Sequence, residues 1–312
     1  MKSRAVIHCA LALAVAAMAA CTQDSKPPFT ELEVPAGDVA LHVRIAGQPD
    51  ATATMIALHG GPGNSSDYMR SLEALAGEGL AVVTYDQRGT GQSSEPSGGY
   101  GMASYIADLE AVRQAVGVER FHLLGHSWGG VLALRCAGAY PERLQSLILA
   151  GSGVLTPEAA QQGQASRAQR VASLQEQGLL PEDIQSISDL LPAYFSDPRF
   201  EMPAELKNMS YNPEVEQITW AALDGDDLAA GLDQLKLPVL LLWGEDDPFG
   251  MAYVESARHT LTSADLEIVL LEHCGHYWHE CPDAFFSHVR AFLERVAGDQ
   301  SRTREASAAR AN

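Results

Sequence analysis

The chain has 312 residues, 46% of them hydrophobic, enough for one large domain with a sizeable core and too apolar for global disorder. Its 40 acidic residues against 21 Lys and Arg leave a net charge of −19, which repels phosphate backbones, so no nucleic-acid partner is expected. It contains no C-x-x-C or H-E-x-x-H metal spacing and no G-x-G-x-x-G dinucleotide turn, so no metal or other cofactor is expected.

Residues 1–20 read as a signal peptide. Lys2 and Arg4 form a positive end, and Ala5 to Ala20 is an apolar stretch too short for a comfortable membrane span. The segment closes on Met18-Ala19-Ala20-Cys21, which resembles a bacterial lipobox, in which the cysteine is acylated and becomes the first mature residue. Cys21 is then the lipid attachment site, and the protein is exported as a cell-envelope lipoprotein on the periplasmic side. The alternative is an ordinary secretory signal, cut near Ala19 or Ala20, that releases a soluble periplasmic protein. Residues 21–29 are polar and proline-containing and read as a tether. No later run of 18 apolar residues occurs, so membrane contact is expected through the N-terminal anchor only.

Beyond the tether, strand-length apolar runs alternate with helical patterns. Val39 to Ile45 reads as an early strand, and Thr54–Leu58 and Leu80–Thr84 are continuous apolar runs, as strands buried on both faces are. A helical pattern covers Ser104 to Val116. Phe121–Leu124, Leu147–Leu149, Val239–Trp243 and Ile268–Leu271 repeat the strand signal, and Asp283 to Val296 is a closing helix. This alternation predicts an α/β fold with a mostly parallel, doubly wound sheet. Residues 156–235 break the rhythm. They are rich in Gln, Glu and Ala, poor in strands and too long for a loop, so they are expected to be a helical cap inserted between core segments 30–155 and 236–297. Residues 298–312 are polar and expected to form a flexible tail.

Gly125-His126-Ser127-Trp128-Gly129 reads G-x-S-x-G, with an apolar strand before it and a helical run, Gly130 to Ala137, after it. This strand–turn–helix context resembles the nucleophile elbow of the α/β-hydrolases. The glycines leave room for a sharp turn that lifts the Ser127 hydroxyl off the sheet edge and places a helix N-terminus behind it. A serine hydroxyl is a poor nucleophile at neutral pH. It needs a base, and the base needs an orienting carboxylate. In this fold they follow in the order serine, acid, histidine. The strand 239–243 leads into Gly244-Glu245-Asp246-Asp247-Pro248, where three acids compete. The strand 268–271 leads into a loop where His273, His276 and His279 compete. Gly275 lets that loop turn onto the serine, which selects His276. His279 reads as a structural, hydrogen-bonding histidine. Two backbone N–H groups make the oxyanion hole. Trp128 supplies one, and the loop His59-Gly60-Gly61-Pro62-Gly63 supplies the other from Gly61, with Gly60 as the alternative.

Three motifs carry a narrower resemblance: HGGPG at His59–Gly63, DQRGTGQS at Asp86–Ser93 and GHSWGG at Gly125–Gly130. Over residues 30–297 the chain is similar to the proline iminopeptidase group of serine aminopeptidases. Related hydrolases read G-x-x-D after the acid-bearing strand, which implies Asp247, with Asp246 as its rival. The resemblance implies release of an N-terminal residue, often proline, from a short peptide. Such enzymes hold the substrate's free amino group with carboxylates of the cap, because a buried ammonium needs a partner. Glu216 matches one such glutamate by its spacing to the strand bearing the acid. A second, which in one member follows the catalytic aspartate, is replaced here by Pro248. Epoxide hydrolases and haloalkane dehalogenases carry aspartate at the place of Ser127, so their chemistry is not expected. A carboxylesterase or lactonase with the same triad is the alternative, and Glu216 is then a solvated helix residue. Either way the partner is a small molecule or a short peptide.

There are five cysteines, and Cys9 leaves with the signal. Cys274 and Cys281 are expected to be free thiols packed near the site, with a bridge in an oxidising compartment as the alternative. Cys136 is left over.

Overall fold

The apolar runs of the sequence become neighbouring strands of one sheet. The protein is described here by a computed structural model covering residues 28–48, 51–77 and 79–311. β1 (Phe29–Ala36) and β2 (Val39–Ala46) form a hairpin around Gly37, whose φ of 63° suits the turn. β3 (Ala53–Leu58), β4 (Leu80–Tyr85), β5 (Phe121–His126), β6 (Leu144–Ala150), β7 (Pro238–Gly244) and β8 (Asp265–Leu271) complete it. The order is β1-β2-β4-β3-β5-β6-β7-β8. β2 runs antiparallel to β1 and β4, and every other pair is parallel. The loops that leave β3, β5, β7 and β8 therefore emerge at one sheet edge, where sites form in such folds.

β1 escaped the sequence reading because it lies at the sheet margin. Thr30, Glu31 and Glu33 face outward, and only Val34 and Ala36 are fully buried. It already begins at Phe29, which the sequence places in the tether. The rest of the tether before Pro28, the signal peptide and Cys21 lie outside the described residues.

Helices cover both faces. α1 (Met102–Ala115) and α2 (Trp128–Ala139) precede the excursion between β6 and β7. That excursion is the helical cap: α3 (Pro157–Glu176), α4 (Ile187–Leu190), α5 (Ala204–Lys207) and α6 (Pro213–Ala222). Thr156 caps α3 by accepting from the Ala159 N–H, and Asn212 caps α6 by accepting from Glu214 and Val215. α7 (Ala252–Thr260) and α8 (Pro282–Ala311) return to the core. Alternate strand residues serve opposite faces. Ile56 and Leu58 join a core with α1, α2 and α7, while Met55 and Ala57 join one with α8.

α8 corrects one expectation. Residues 298–311, read as a flexible tail, continue the helix, since Ala, Arg, Gln and Glu favour it and no proline stops it.

The cap is tied to the core by backbone. Asn64 and Tyr211 form an isolated antiparallel bridge; the Ser65 N–H donates to Ser210 O at 2.9 Å, and the Asn212 N–H donates to Gly63 O at 2.8 Å. At the far side, the His276 N–H donates to Tyr194 O at 2.7 Å.

One buried ion pair braces the loop after β4. Arg88 donates from Nε and Nη2 to both oxygens of Asp108 on α1, each at 2.7 Å, with side chains 4% and 2% exposed. Removing Asp108 leaves the buried Arg88 only Asp38, 3.6 Å away, as an ionic partner. Asp108→Ala should therefore cost about 3–5 kcal/mol in urea unfolding, and a loss below about 1 kcal/mol would contradict this account.

Candidate active site

Ser127 stands at the end of β5 with φ 54° and ψ −122°, a conformation that a side chain rarely adopts. Its surroundings explain the glycines. A Cβ on Gly125 would overlap the Gly129 carbonyl, and a Cβ on Gly129 would overlap the Leu58 carbonyl at the end of β3. Ser127 opens on a cavity of about 420 Å³, also lined by Gly61, Trp128, Glu216 and His276.

The histidine loop brings His276 and Asp247 together. His276 Nδ1 lies 2.7 Å from Asp247 Oδ2, and both side chains are buried. Asp247 Oδ1 accepts from the Phe249 N–H at 2.9 Å. With Nδ1 engaged, His276 Nε2 is the nitrogen left to exchange a proton. Neither rival acid is placed for this. Glu245 is exposed, and Asp246 is exposed and accepts from the Ser196 hydroxyl at 2.6 Å. His273 is exposed as well. His279 stacks on Trp278, and its Nε2 lies 3.1 Å from Tyr68 O and 3.2 Å from the Ser71 hydroxyl.

Gly275 is needed for a different reason from the one the sequence suggested. A Cβ there would meet the cap backbone at Tyr194 and Phe195. It is close approach of the cap, rather than a left-handed turn, that excludes a side chain.

The HGGPG loop supplies a choice of donor that the geometry narrows. The Gly60 N–H is already used, donating to the Tyr68 hydroxyl at 2.6 Å. The Gly61 N–H has no hydrogen bond among the described residues. Trp128 is the first residue of α2, where the backbone N–H has no intrahelical acceptor. Gly61 and Trp128 thus present donors beside Ser127, as an oxyanion requires.

Several residues around the site were not anticipated. Gln87, in the DQRG motif, accepts from the Trp128 indole at 2.8 Å, donates from Nε2 to His59 O at 2.8 Å, and donates from its backbone to His59 Nε2 at 2.9 Å. One side chain so joins three separate motifs. His126 lies 2.7 Å from the Tyr68 hydroxyl at Nδ1 and 3.0 Å from His276 O at Nε2. Burial, and next the neighbouring His276, hold His126 well below the ordinary histidine range, so it is neutral. A neutral ring accepts from Tyr68 and donates to His276 O, fixing the backbone beside the base. Glu280 accepts from the N–H groups of Ser196, Gly275 and Asp197 at 2.7, 2.9 and 3.1 Å, and burial pushes its carboxyl up. Nothing in the local sequence marks Glu280 for this work.

Cys274 and Cys281 form a disulfide around His276, which corrects the expectation of free thiols. The turn over Trp278–Glu280 brings the two together. Cys136 is free and buried.

Buried histidines make this region acid-sensitive. Burial lowers His122 and His279 to about 4 and also lowers His59 and His126. The unfolded chain binds these protons near pH 6.5, so the folded state holds its full advantage above that pH and loses it as pH falls. Each group contributes a slope of up to about 1.4 kcal/mol per pH unit. Urea unfolding free energy should drop by several kcal/mol between pH 7.5 and pH 5.5, and an unchanged value would mean these histidines are protonated in the fold.

Comparison with known proteins agrees with this fold. The family model of the alpha/beta hydrolase fold matches residues 53–280. Proline iminopeptidase from Lactobacillus delbrueckii subsp. bulgaricus is 40% identical over 130 residues, 40% of this chain and 44% of that protein. The chain therefore spans less than half the length of that relative. Proline iminopeptidase from Lactobacillus acidophilus is 26% identical over 278 residues, 81% of this chain and 91% of its own. In fold, the crystal structure of proline iminopeptidase from Mycobacterium smegmatis is similar with a TM-score of 0.68 at 24% identity, covering 86% of this chain and 98% of that one. Matched from β3 through the elbow to the histidine loop, the chain belongs to the alpha/beta hydrolase fold family.

Proposed function

We propose that this protein is a serine hydrolase of the proline iminopeptidase type, which removes an N-terminal residue from short peptides. The observation that carries the reading is Glu216. From α6 of the cap, its carboxylate faces the cavity onto which Ser127 opens, and it accepts a hydrogen bond from the Tyr211 hydroxyl. A half-buried carboxylate in a largely aromatic wall suits a substrate ammonium.

The chemistry follows from the positions. Ser127 Oγ attacks the peptide carbonyl while His276 Nε2 takes its proton. Asp247 stabilises the resulting imidazolium through Nδ1. The Gly61 and Trp128 N–H groups hold the oxyanion. His276 then protonates the leaving amine, and water, activated by the same histidine, hydrolyses the acyl-enzyme. Export with a lipid on Cys21 completes the reading, and the Cys274–Cys281 bridge supports an oxidising compartment. A carboxylesterase on the same residues is favoured by one observation: Pro248 stands where a second amine-binding glutamate would be.

Ser127→Ala should lower turnover by at least about 10⁴-fold with an unchanged melting curve, and Asp247→Asn by about 10³–10⁴-fold. Asp246→Asn should be mild. Retained activity in Ser127→Ala would end the serine-hydrolase reading.

Substrate class is tested with proline p-nitroanilide, its N-acetyl form and p-nitrophenyl butyrate. Removing the ammonium should cost about 10–100-fold in kcat/KM, as should Glu216→Gln on the free-amine substrate. Equal turnover of free and acetylated anilide, with the ester far faster than both, would establish the esterase instead.

A further inference from the structure

The cavity that holds Ser127 also contains a cation. Arg167 on α3 lines it, as does Glu216 on α6. Arg167 Nε and Nη2 donate to the Gln164 side-chain oxygen at 3.2 and 3.1 Å, and Nη1 donates to the Tyr194 hydroxyl at 3.3 Å. A guanidinium has five N–H donors, so three are engaged and two remain. Both partners are neutral. Among the described residues no carboxylate pairs with Arg167, although the chain carries 40 acids to 21 Lys and Arg. The charge is held in place and left unmatched.

Its position bears on the reaction. The Tyr194 ring packs 5.3 Å from the His276 ring, and the guanidinium lies 5.8 Å from the centre of the Phe249 ring, itself 5.3 Å from His276. One side chain therefore separates the fixed cation from the histidine that protonates a leaving amine. Burial raises the Tyr194 phenol, and Arg167 works against that rise, as a positive charge at the hydroxyl must. Around it the wall is aromatic, where an unpaired guanidinium attracts an anion more strongly than in water.

We infer, resting on the aminopeptidase reading, that Arg167 is a specificity residue for the free α-carboxylate of the leaving residue. Glu216 takes the substrate's ammonium and Arg167 its carboxylate. The two charged side chains do not pair with each other, so a zwitterion can satisfy both in one cavity. In a dipeptide the leaving residue carries its carboxylate one carbon from the scissile nitrogen, on the side of the bond that His276 serves. The preferred substrate class is thus dipeptides with both termini free, above longer peptides and amides.

The test compares prolyl-glycine with prolyl-glycinamide, which differ only in that carboxylate. The wild-type protein should favour the acid by about 10–100-fold in kcat/KM, the range of one charge-assisted contact. In Arg167→Met the ratio should fall to about one. Arg167→Lys, which keeps the charge and loses the fork, should lie between. If Arg167 only ties α3 to Tyr194, its loss slows both substrates alike and the ratio stays, which overturns the inference. Equal cleavage of both by the wild-type protein also overturns it and leaves the aminopeptidase reading standing. Cleavage of neither, with p-nitrophenyl butyrate turned over, ends the aminopeptidase reading and this inference with it. If Arg167→Met does not fold, Arg167→Lys carries the test, and a wild-type ratio of about one still overturns the inference.

Discussion

Ser127 holds a φ of 54°, and the rest of the site is built around keeping it there. A non-glycine residue in so sparse a region stores about 1–3 kcal/mol, which the neighbourhood must offset. The offset comes from packing that admits no side chains. β3, β5 and the start of α2 approach so closely that Gly125 and Gly129 have no room for a Cβ, and Gly130 is pressed against Ser152. The HGGPG loop then lies directly on the elbow; a Cβ on Gly60 would sit 3.0 Å from that of Ser127. Backbone contact this close sets main-chain N–H groups beside Ser127 without a reaching side chain.

Closeness alone would leave polar groups stranded, and hydrogen bonding resolves that. Gln87 meets a backbone carbonyl, an imidazole and an indole at once. Asp86 beside it accepts from the N–H groups of Ser66 and Gln92 at 2.7 and 2.8 Å. The run from the Gly60 N–H through Tyr68 and His126 to His276 O links the oxyanion loop to the histidine loop inside the core. A satisfied buried network is stiff, and an unsatisfied member costs its full desolvation, so these groups define one geometry.

Much of this was legible in the residues. The parallel strands announced themselves because burial on both faces makes them continuously apolar, and the elbow because glycines mark where backbone approaches backbone. Place after strands narrowed the acid and the base to three candidates each; the G-x-x-D resemblance singled out Asp247 and the glycine before it His276, and the fold sets those two side chains 2.7 Å apart. What stayed hidden was pairing between distant residues. Glu280 reads as any surface glutamate until the fold brings three N–H groups to it, and Arg167 as any cap arginine until its partners prove neutral. β1 lacked contrast because most of it faces solvent. The bridge at Cys274 and Cys281 depended on a turn that no local motif marks. The helical end of α8 was misread because polarity was taken for disorder, where composition favoured helix.

The ladder joining Gly63 and Ser65 to Asn212 and Ser210 has an evolutionary consequence. Its two bonds run between main-chain N–H and C=O groups, which every residue but proline supplies, although Gly63 must stay because a Cβ there would meet the Asn212 carbonyl, and Ser65 and Asn212 add side-chain bonds. Cap side chains other than Asn212 can therefore drift, lengthen or exchange charge without loosening its attachment beside the HGGPG loop. Residues that line the cavity from α3 and α6 sit on a mount that does not depend on their identity. Substitutions among them would alter the cavity wall while the Ser127 elbow and the loop beside it stay in register.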